Sequence, residues 1–409
     1  VERLYNINIA TSVEGNLMIG YFRTIGGFPF PVKLFLATEL FFGLGIGIWS
    51  INLNFHLKAN GFSEADIGMI LSVGSILTAF LSLLAGQLCD RMGYHPAMWI
   101  GNLLKGSGMI IIAVFPWFKS AVLGQIVFSV GESLVLSCEF PFILGLVSPE
   151  FRNMVYSLLI SFYLFAMFLG NLFGGYMNSI FFIDKKPYFI SVLTSGILII
   201  ILGILRIFLP KVKSVERSGK FFIYYIGNPK IIRFVIYGIL VGTVYNILSS
   251  MTNLVYRKQF GLSDGEVGIV LAVSTVAGCV SAFVAPELVK RLNHTKVAVM
   301  AQIMNIIFFL VMSVASFGIF TASWIVTSFT RNLMPASIDS LMLQSIPEPE
   351  QGVYSGIRIF GNYIGMGIGA YLAGRIIMYS GSFLLMIVAA VASIMQMCVY
   401  LLGCRRFLN

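Results

Sequence analysis

The sequence has little charge and few of the side chains that support polar chemistry. Only 11% of its 409 residues are charged, against 58% that are hydrophobic, whereas soluble domains carry roughly 25% charged residues. Its three histidines and five cysteines show neither metal-ligand nor disulfide spacing, so we expect no metal site and no cofactor. A nucleotide-binding Gly-x-x-x-x-Gly-Lys loop and a catalytic cluster are also missing. We therefore expect neither ATP drive within this chain nor an enzyme.

What the chain has instead is long apolar runs. A helix of about 20 apolar residues spans a bilayer core of about 30 Å, and in lipid the helix satisfies its own backbone polar groups. Twelve such runs predict an all-α, polytopic membrane protein with twelve transmembrane helices. They lie near residues 34–57, 65–88, 96–117, 120–146, 152–178, 187–209, 231–256, 264–289, 296–318, 321–345, 352–379 and 382–403.

The chain is basic, with a formal net charge of +10, and the position of this charge predicts its orientation. Twelve spans place both termini on one side of the membrane. The segments and helix ends on that side, among whose charges we count Arg206 near the end of span six, collect far more Lys and Arg than those on the other side. We expect the protein in the cytoplasmic membrane, and the positive-inside rule predicts that both termini lie in the cytoplasm. The basic excess indicates topology, and we expect no nucleic-acid partner.

A polar stretch between the sixth and seventh runs divides the chain nearly in half. We expect a protein that works as a monomer in the lipid bilayer. Its predicted parts are a cytoplasmic or interfacial segment over 1–33, a six-helix bundle over 34–209, a cytoplasmic linker over 210–230, a second six-helix bundle over 231–403 and a cytoplasmic tail over 404–409.

The two halves repeat each other at an offset of 200 residues. The stretch GFSEADIGMILSV at 61–73 aligns with GLSDGEVGIVLAV at 261–273, and AGQLCDRMGYHP at 85–96 aligns with APELVKRLNHTK at 285–296. A two-fold repeat of six spans is typical of transporters whose substrate site lies near mid-membrane, between the halves.

The charged turn after the second span resembles a motif of the major facilitator superfamily. It reads Gly-x-x-x-Asp-Arg-x-Gly, with Gly86, Asp90, Arg91 and Gly93, and a degenerate second copy follows the eighth span. The resemblance covers the chain from about residue 34 and looks like the bacterial efflux-type branch. It implies two pseudo-symmetric six-helix bundles that work by alternating access. Two features of the drug–proton antiporters of that branch are missing, a proline in the glycine-rich motif of span five and a basic residue early in span four.

The turn motif also has a physical role of its own. Gly93 relieves a tight turn, and Gly86 is expected to let a neighbouring helix approach closely. Asp90 can accept hydrogen bonds from a helix N-terminus or pair with a basic residue, for which Arg152 is the candidate. By the family resemblance, the latch cluster of Gly86, Asp90, Arg91, Gly93 and Arg152 holds the two halves in the outward-facing state. The alternative is ordinary positive-inside charge with one incidental acid.

Few ionisable residues fall inside the predicted spans, and such residues are functional by default. They include Glu39 in span one, Glu132 and Glu139 in span four, and Arg331 and Asp339 in span ten. Carboxylates in a low-dielectric cavity can exchange protons near neutral pH, so these residues are candidates for proton coupling. The alternatives are a static ion pair between spans four and ten and, for Glu39, simple contact with the cytoplasmic interface.

Arg331 is the residue that we expect to pair with these acids. A permanent cation there would keep a carboxylate ionised until a proton or a substrate releases it. At the 200-residue offset Glu139 corresponds to Asp339, which predicts two acids at related depths on opposite walls. Lys105 in span three is expected to extend its stem to the inner membrane surface.

Polar and aromatic side chains within the spans are the candidates for a substrate cavity, because lipid offers an amide no hydrogen-bond partner. They are Asn52, Tyr163, Tyr245, Asn246 and Asn332. The sequence therefore predicts a secondary active transporter that moves a small organic or amphipathic solute outward, coupled to protons. A uniporter, or a flippase for lipid or lysolipid on the same fold, is the alternative.

Overall fold

The helices follow one another in the order of the sequence repeat. The computed structural model describes residues 26–181, 188–212, 229–334 and 351–404. The first half contains α1 (Phe30–Ala59), α2 (Glu64–Met92), α3 (Tyr94–Val114), α4 (Phe118–Gly145), α5 (Arg152–Ile180) and α6 (Phe189–Ile207). The second half contains α7a (Pro229–Ser249), α7b (Thr252–Phe260), α8 (Asp264–Leu292), α9 (His294–Val314), α10 (Phe317–Met334), α11 (Gln351–Tyr379) and α12 (Gly381–Val399).

The described residues therefore hold twelve membrane-length segments when α7a and α7b are counted as one. Ten of them are long and apolar enough to cross a membrane by length and composition. The other two are α10, whose mean hydropathy is lowered by Arg331 and Asn332, and α11, which is rich in glycine. The predicted all-α fold with twelve transmembrane helices is confirmed. Asp339, the tail beyond residue 404 and most of segments 1–33 and 210–230 lie outside the described residues.

Helices α2 and α8 begin with the same capping arrangement. The hydroxyl oxygen of Ser63 accepts a hydrogen bond from the backbone N–H of Asp66 at 3.1 Å, and the Asp66 carboxylate accepts one from the Ser63 backbone at 2.9 Å. Ser263 and Glu266 repeat this reciprocal pair at 3.4 and 2.8 Å. Such a capping box satisfies two backbone donors that a helix start leaves unpaired. Both ends of α8 accordingly lie 200 residues after those of α2.

The turn that follows each of these helices needs a positive φ angle. Gly93 has φ 88° and Asn293, its repeat partner, has φ 66°. Asparagine tolerates this region better than most side chains, and the side-chain oxygen of Asn293 accepts a hydrogen bond from the backbone N–H of Lys296 at 3.0 Å. The second copy of the turn therefore keeps its shape without glycine.

Close helix contacts hold each half together as a bundle of its own. A Cβ atom on Gly47 of α1 would lie 2.6 Å from the carbonyl oxygen of Met167 in α5. In the second half, a Cβ on Gly365 of α11 would overlap the carbonyl oxygen of Ile239 in α7a. The two repeat-related helix pairs thus pack with backbones in contact, which only small residues allow.

The seventh span is interrupted where α1 is continuous. Ser249, Ser250 and Thr252 each donate a side-chain hydrogen bond to the carbonyl of the residue four positions earlier, at 2.5–2.8 Å. Consecutive hydroxyls that bond back in this way compete with the backbone ladder of a helix. The break separates α7a from α7b, so α7b can follow a different direction.

The two halves meet tightly at one end of the bundle, where α2 and α8 begin. There α2 packs on α11, and a Cβ on Gly68 would lie 2.6 Å from the carbonyl oxygen of Ala370. On the opposite side α5 packs on α8, and a Cβ on Gly268 would lie 2.7 Å from the carbonyl oxygen of Asn171. We call this end of the molecule the closed end.

Candidate functional site

A cavity of about 420 Å³ lies between the two halves. Its volume is within the range of pockets that hold small organic ligands. Helices α1 to α5 line it on one side, and α7a and α11 line it on the other. The wall combines aromatic side chains (Phe42, Trp49, Phe128, Tyr163, Tyr363), neutral polar side chains (among them Ser50, Asn54, Gln125, Asn246 and Ser249) and three ionisable ones (Lys105, Glu132, Glu139).

Lys105 and Glu132 form an ion pair in the cavity wall between α3 and α4. The Lys105 side chain is only 2% exposed, and its Nζ lies 4.4 Å from the ring centroid of Phe42 and 5.2 Å from that of Phe128. Across the cavity, the Tyr363 hydroxyl donates to Glu132 at 3.3 Å. Lys105 therefore does not reach the membrane surface, and that prediction was wrong because the aromatic rings and the acid hold the ammonium group inside.

Glu39, Arg206 and Glu139 form a second, deeper cluster that we call the triad. Arg206 of α6 is fully buried, with Nη1 2.6 Å from Glu139 Oε1 and Nη2 hydrogen-bonded to Glu39 Oε1. Its Nε donates to the Thr38 hydroxyl at 3.2 Å, and the guanidinium lies 4.5 Å from the ring centroid of Phe35. One cation thus serves two carboxylates brought by α1 and α4.

The triad has one more potential negative charge than positive. With both carboxylates ionised its net charge is −1, and one bound proton makes it neutral. Burying a net charge in a low-dielectric region is unfavourable, so such a site favours uptake of a proton or of another cation. Glu139 is the member that faces the cavity, with its side chain 11% exposed, whereas Glu39 is 1% exposed.

The structure does not pair Arg331 with Glu132 or Glu139, the described acids with which we expected it to pair. Its guanidinium lies 5.0 Å from the ring centroid of Trp324 and 5.2 Å from that of Tyr245, and among the described residues no carboxylate forms an ion pair with it. Glu132 and Glu139 instead use cations of their own half, because each six-helix bundle folds around its own interior. Asp339, the other predicted acid of span ten, lies outside the described residues.

The predicted cavity residues divide into two groups. Tyr163 and Asn246 line the cavity, and Tyr245 lies beside Asn246 on the same helix. Asn52 is fully buried and donates to the Gly174 carbonyl at 3.0 Å, so it joins α1 to α5 instead. Asn332 does not line the cavity and lies against α8 instead. A Cβ added to Gly278 of that helix would be 2.8 Å from the amide nitrogen of Asn332. Hydropathy alone does not show which face of a helix carries an amide.

Buried amides link the two halves at the closed end. Asn54 of α1 donates to the Ser250 carbonyl at 2.6 Å and to the side-chain oxygen of Asn253 at 2.8 Å. Asn253 in turn donates to the carbonyl of Ile51 at 2.8 Å. Both amide side chains are at least 95% buried, so these hydrogen bonds between the halves are shielded from water.

Charged groups surround this amide link at the surface of the closed end. The Tyr188 hydroxyl donates to Asp264 at 2.8 Å and accepts from Arg257 at 2.5 Å, while Arg257 also lies 3.2 Å from Asp264. Burial raises the pKa of Tyr188 to about 12, so its phenol remains a donor at physiological pH. Lys258 of α7b reaches Glu64 of α2 at 3.4 Å.

The latch cluster lies at the opposite end of the molecule. Asp90 accepts a hydrogen bond from the Tyr94 hydroxyl at 3.3 Å, and Arg152, at the start of α5, has an exposed side chain. Arg91 is also exposed. A Cβ on Gly86 would meet no described atom within 4 Å, so among the described residues no neighbouring helix packs against this glycine in the present conformation. The role of the cluster in latching stays a prediction.

The most important residue that sequence reasoning missed is Arg206. Its position near the end of span six led us to count it among the cytoplasmic basic charges, although it falls inside the predicted span. The sequence does contain a feature that indicates this role. Arg206 is a cation within an apolar run, at a membrane depth similar to that of Glu39 and Glu139. Among the residues that the structure describes, no group of three or more His, Cys, Asp or Glu side chains could hold a metal ion.

Two bundles of six membrane helices, with a polar and aromatic cavity between them, define a multi-pass membrane transporter. The sequence model of the Major Facilitator Superfamily matches residues 35–252 and 234–406. The chain belongs to the major facilitator superfamily, and the resemblance seen in its sequence is confirmed.

Solved structures of other transporters share the fold at low sequence identity. The nucleoside transporter NupG has a TM-score of 0.76 at 14% identity over 91% of this chain and 99% of its own. A bacterial homologue of the human lysosomal transporter Spinster, inward-facing and occupied, has a TM-score of 0.74 at 12% identity and covers 94% of this chain and 97% of its own. A bacterial homologue of the iron transporter ferroportin has a TM-score of 0.71 at 16% identity and covers 93% of this chain and 98% of its own. No curated protein sequence matches the chain.

Proposed function

We propose that this transporter exports a small organic solute across the cytoplasmic membrane in exchange for protons, by alternating access and as a monomer. The observation that carries the proposal is the triad of Glu39, Arg206 and Glu139, which holds a surplus carboxylate at the cavity wall. A proton bound there neutralises the triad, so its occupancy can change which conformation is favoured. The outward direction rests on the resemblance to the efflux-type branch.

Glu139 is the proposed point of proton entry. It is the more exposed of the two carboxylates on Arg206 and lines the same cavity that takes the solute. Glu132 is a weaker candidate, because Lys105 balances its charge one to one. A solute that fills the cavity beside Glu139 can block the access of a proton to this carboxylate, and such steric exclusion is the requirement for exchange.

The arrangement of the two ends supports alternating access. With both termini in the cytoplasm, the closed end faces outward and the latch cluster faces inward. The structure then corresponds to a state whose outer entrance is shut by the amides of Asn54 and Asn253 and by the charged groups around them. The division into bundles 34–209 and 231–403 gives the two bodies that move.

The test begins with a solute that binds the purified protein. A screen for compounds that raise its thermal midpoint identifies one, because a ligand that binds only the folded state stabilises it. Proteoliposomes with an acidic interior should then accumulate that solute against its gradient, as protons leave. Glu139→Gln should abolish this accumulation and leave solute-for-solute exchange intact, since exchange needs no net proton movement.

The control is Glu287→Gln, the same chemical change at an exposed acid of α8. Its accumulation should equal that of the wild type. Accumulation that persists in Glu139→Gln, Glu39→Gln and Glu132→Gln would refute coupling through these acids. Accumulation with an alkaline interior would show symport in place of export, and solute movement that only equalises the two sides would indicate the uniporter.

A further inference from the structure

We propose that Arg331 is a binding site for an anionic group, a carboxylate or a phosphate, of the transported solute. The inference rests on the proposed function and deepens it, because it assigns the solute to a chemical class, an organic anion with an apolar or aromatic body. Three observations support the inference: the hydrogen-bond partners of Arg331, the difference between Arg331 and the other cations beside the cavity, and the position of Arg331.

The partners of Arg331 are neutral and distant. Its Nε lies 3.3 Å from the Thr327 carbonyl oxygen, Nη1 lies 3.5 Å from the Tyr245 carbonyl oxygen, and Nη2 lies 3.3 Å from the Ser328 hydroxyl. A guanidinium carries five N–H donors in a planar fork that suits two oxygens of one anion. These three long bonds leave two donors unused and leave the charge without a counter-charge among the described residues.

The other two cations beside the cavity, unlike Arg331, have carboxylate partners among the described residues. Lys105 is paired with Glu132, and Arg206 is paired with two carboxylates. An arginine within a membrane span is unfavourable unless something balances it. At the repeat position of Arg331 the first half has Gly131, which packs against the backbone of α3, so the arginine is not required by the repeated fold.

Arg331 lies behind the cavity wall, next to one of its lining residues. Its neighbour Tyr245 presents one carbonyl oxygen to both Arg331 Nη1 and the hydroxyl of Ser249, and Ser249 lines the cavity. The aromatic rings of Tyr163 and Tyr363 line the same cavity. A solute could therefore place its anionic group on the guanidinium and its apolar body among these rings.

Matched probes can test the charge preference without knowledge of the natural solute. The probes are 1-naphthoate, its neutral carboxamide and the cationic 1-naphthylmethylamine, which share one aromatic body, with inorganic phosphate as a separate arm. Binding to the purified full-length protein is measured by titrating its thermal midpoint. We expect 1-naphthoate to bind the wild type most tightly, and Arg331→Gln to weaken it about 10- to 100-fold with little effect on the carboxamide.

Two further variants separate recognition from folding. Arg331→Lys keeps the charge without the fork and should retain part of the preference for the carboxylate. Arg375→Gln is the matched control, because Arg375 also lies in a spanning helix and over a tyrosine ring, 5.5 Å from the centroid of Tyr371. It should leave the preference unchanged. Each midpoint is referred to that of the same variant without ligand.

The outcomes are distinct. Equal binding of carboxylate and carboxamide by the wild type, or an unchanged preference in Arg331→Gln, would overturn the anion site. Phosphate that competes as strongly as 1-naphthoate would show a site for inorganic anion and overturn the assignment to the solute. These results concern binding alone, so export can fail in proteoliposomes while the anion site stands, and the anion site can fail while export stands.

Discussion

In the first half, Lys105 and Glu132 form an ion pair beside the cavity, whereas asparagines occupy both repeat positions in the second half. There Asn305 accepts a hydrogen bond from the Thr330 hydroxyl at 2.5 Å. The position that matches Glu39 is Ile239. The second half thus builds α8 and α9 with the same boundaries as α2 and α3, shifted by 200 residues, and has neutral amides in place of the Lys105–Glu132 pair. The repeat positions of Glu139 and Arg206 keep an acid and a cation, Asp339 and Arg406, which lie outside the described residues.

The difference indicates that the Lys105–Glu132 ion pair is not needed to make the fold. Replacing a buried ion pair by neutral groups of similar size is often neutral or stabilising, whereas removing one partner alone is costly. Charges that the fold does not require point to a role in transport, and we assign that role to the first half. Four experiments test whether the two halves differ in this way, and their expected effects decrease from the first to the last.

The largest effect is expected for Arg206→Gln. It leaves Glu39 and Glu139 buried with no cation, which should lower the free energy of unfolding by about 3–5 kcal/mol and reduce the yield of folded protein. Adding Glu39→Gln and Glu139→Gln should restore the thermal midpoint, because no buried charge is then left without a partner. If the triple variant stays as unstable as the single one, the charges belong to the fold after all.

A smaller effect is expected when the pair of the second half is transplanted into the first. Lys105→Asn alone should cost about 3 kcal/mol, because Glu132 loses its partner. The double variant with Glu132→Asn should return to within about 1 kcal/mol of the wild type. Thermal unfolding of the two single variants and the double variant forms a double-mutant cycle, and additive losses would contradict the interpretation.

The charged turns provide the third comparison. Asp90→Asn should favour the state with a shut outer entrance by about 1 kcal/mol, since an interaction specific to the other state is removed. Lys290→Asn at the repeat position is the control and should change nothing. Spin labels at Ala59 and Gln259, both exposed at the closed end, measure the distance between the two halves there, which is short when the entrance is shut. The same distance distribution in both variants and the wild type would rule out the latch.

The smallest effect is expected for Tyr188→Phe, which removes the two hydrogen bonds of the phenol while Arg257 and Asp264 stay paired with each other, a loss of about 1 kcal/mol. Burial raises the pKa of Tyr188 from 10.0 to about 12. A raised pKa in the folded state means that the contribution is complete below pH 10 and is lost as the pH rises through about 12. The midpoint difference from the wild type should therefore be constant from about pH 6 to about pH 9, and a decline within that window would contradict it.

The parts of the structure that the sequence predicted are those that depend on local pattern. The helix order, the repeat and the turn at Gly93 follow from hydropathy, self-alignment and backbone sterics. The pairing of charges depends on the rotation of each helix about its axis, which a nearly uniform apolar run does not reveal. For this reason the sequence predicted a cytoplasmic charge at Arg206, a membrane-surface position for Lys105, and a pairing of Arg331 with Glu132 or Glu139 that the structure does not form.

The interrupted seventh span has a consequence for the tightness of coupling. Although α7b belongs to the second half by sequence, Asn253, Arg257 and Lys258 bind groups of the first half. We expect the outer entrance to open in two stages, with α7a tilting first about the break at Ser250 and Met251 while α7b remains in place as a plug. A leak-free intermediate of this kind would keep solute and proton from crossing separately, and the turnover stoichiometry would then stay close to a whole number.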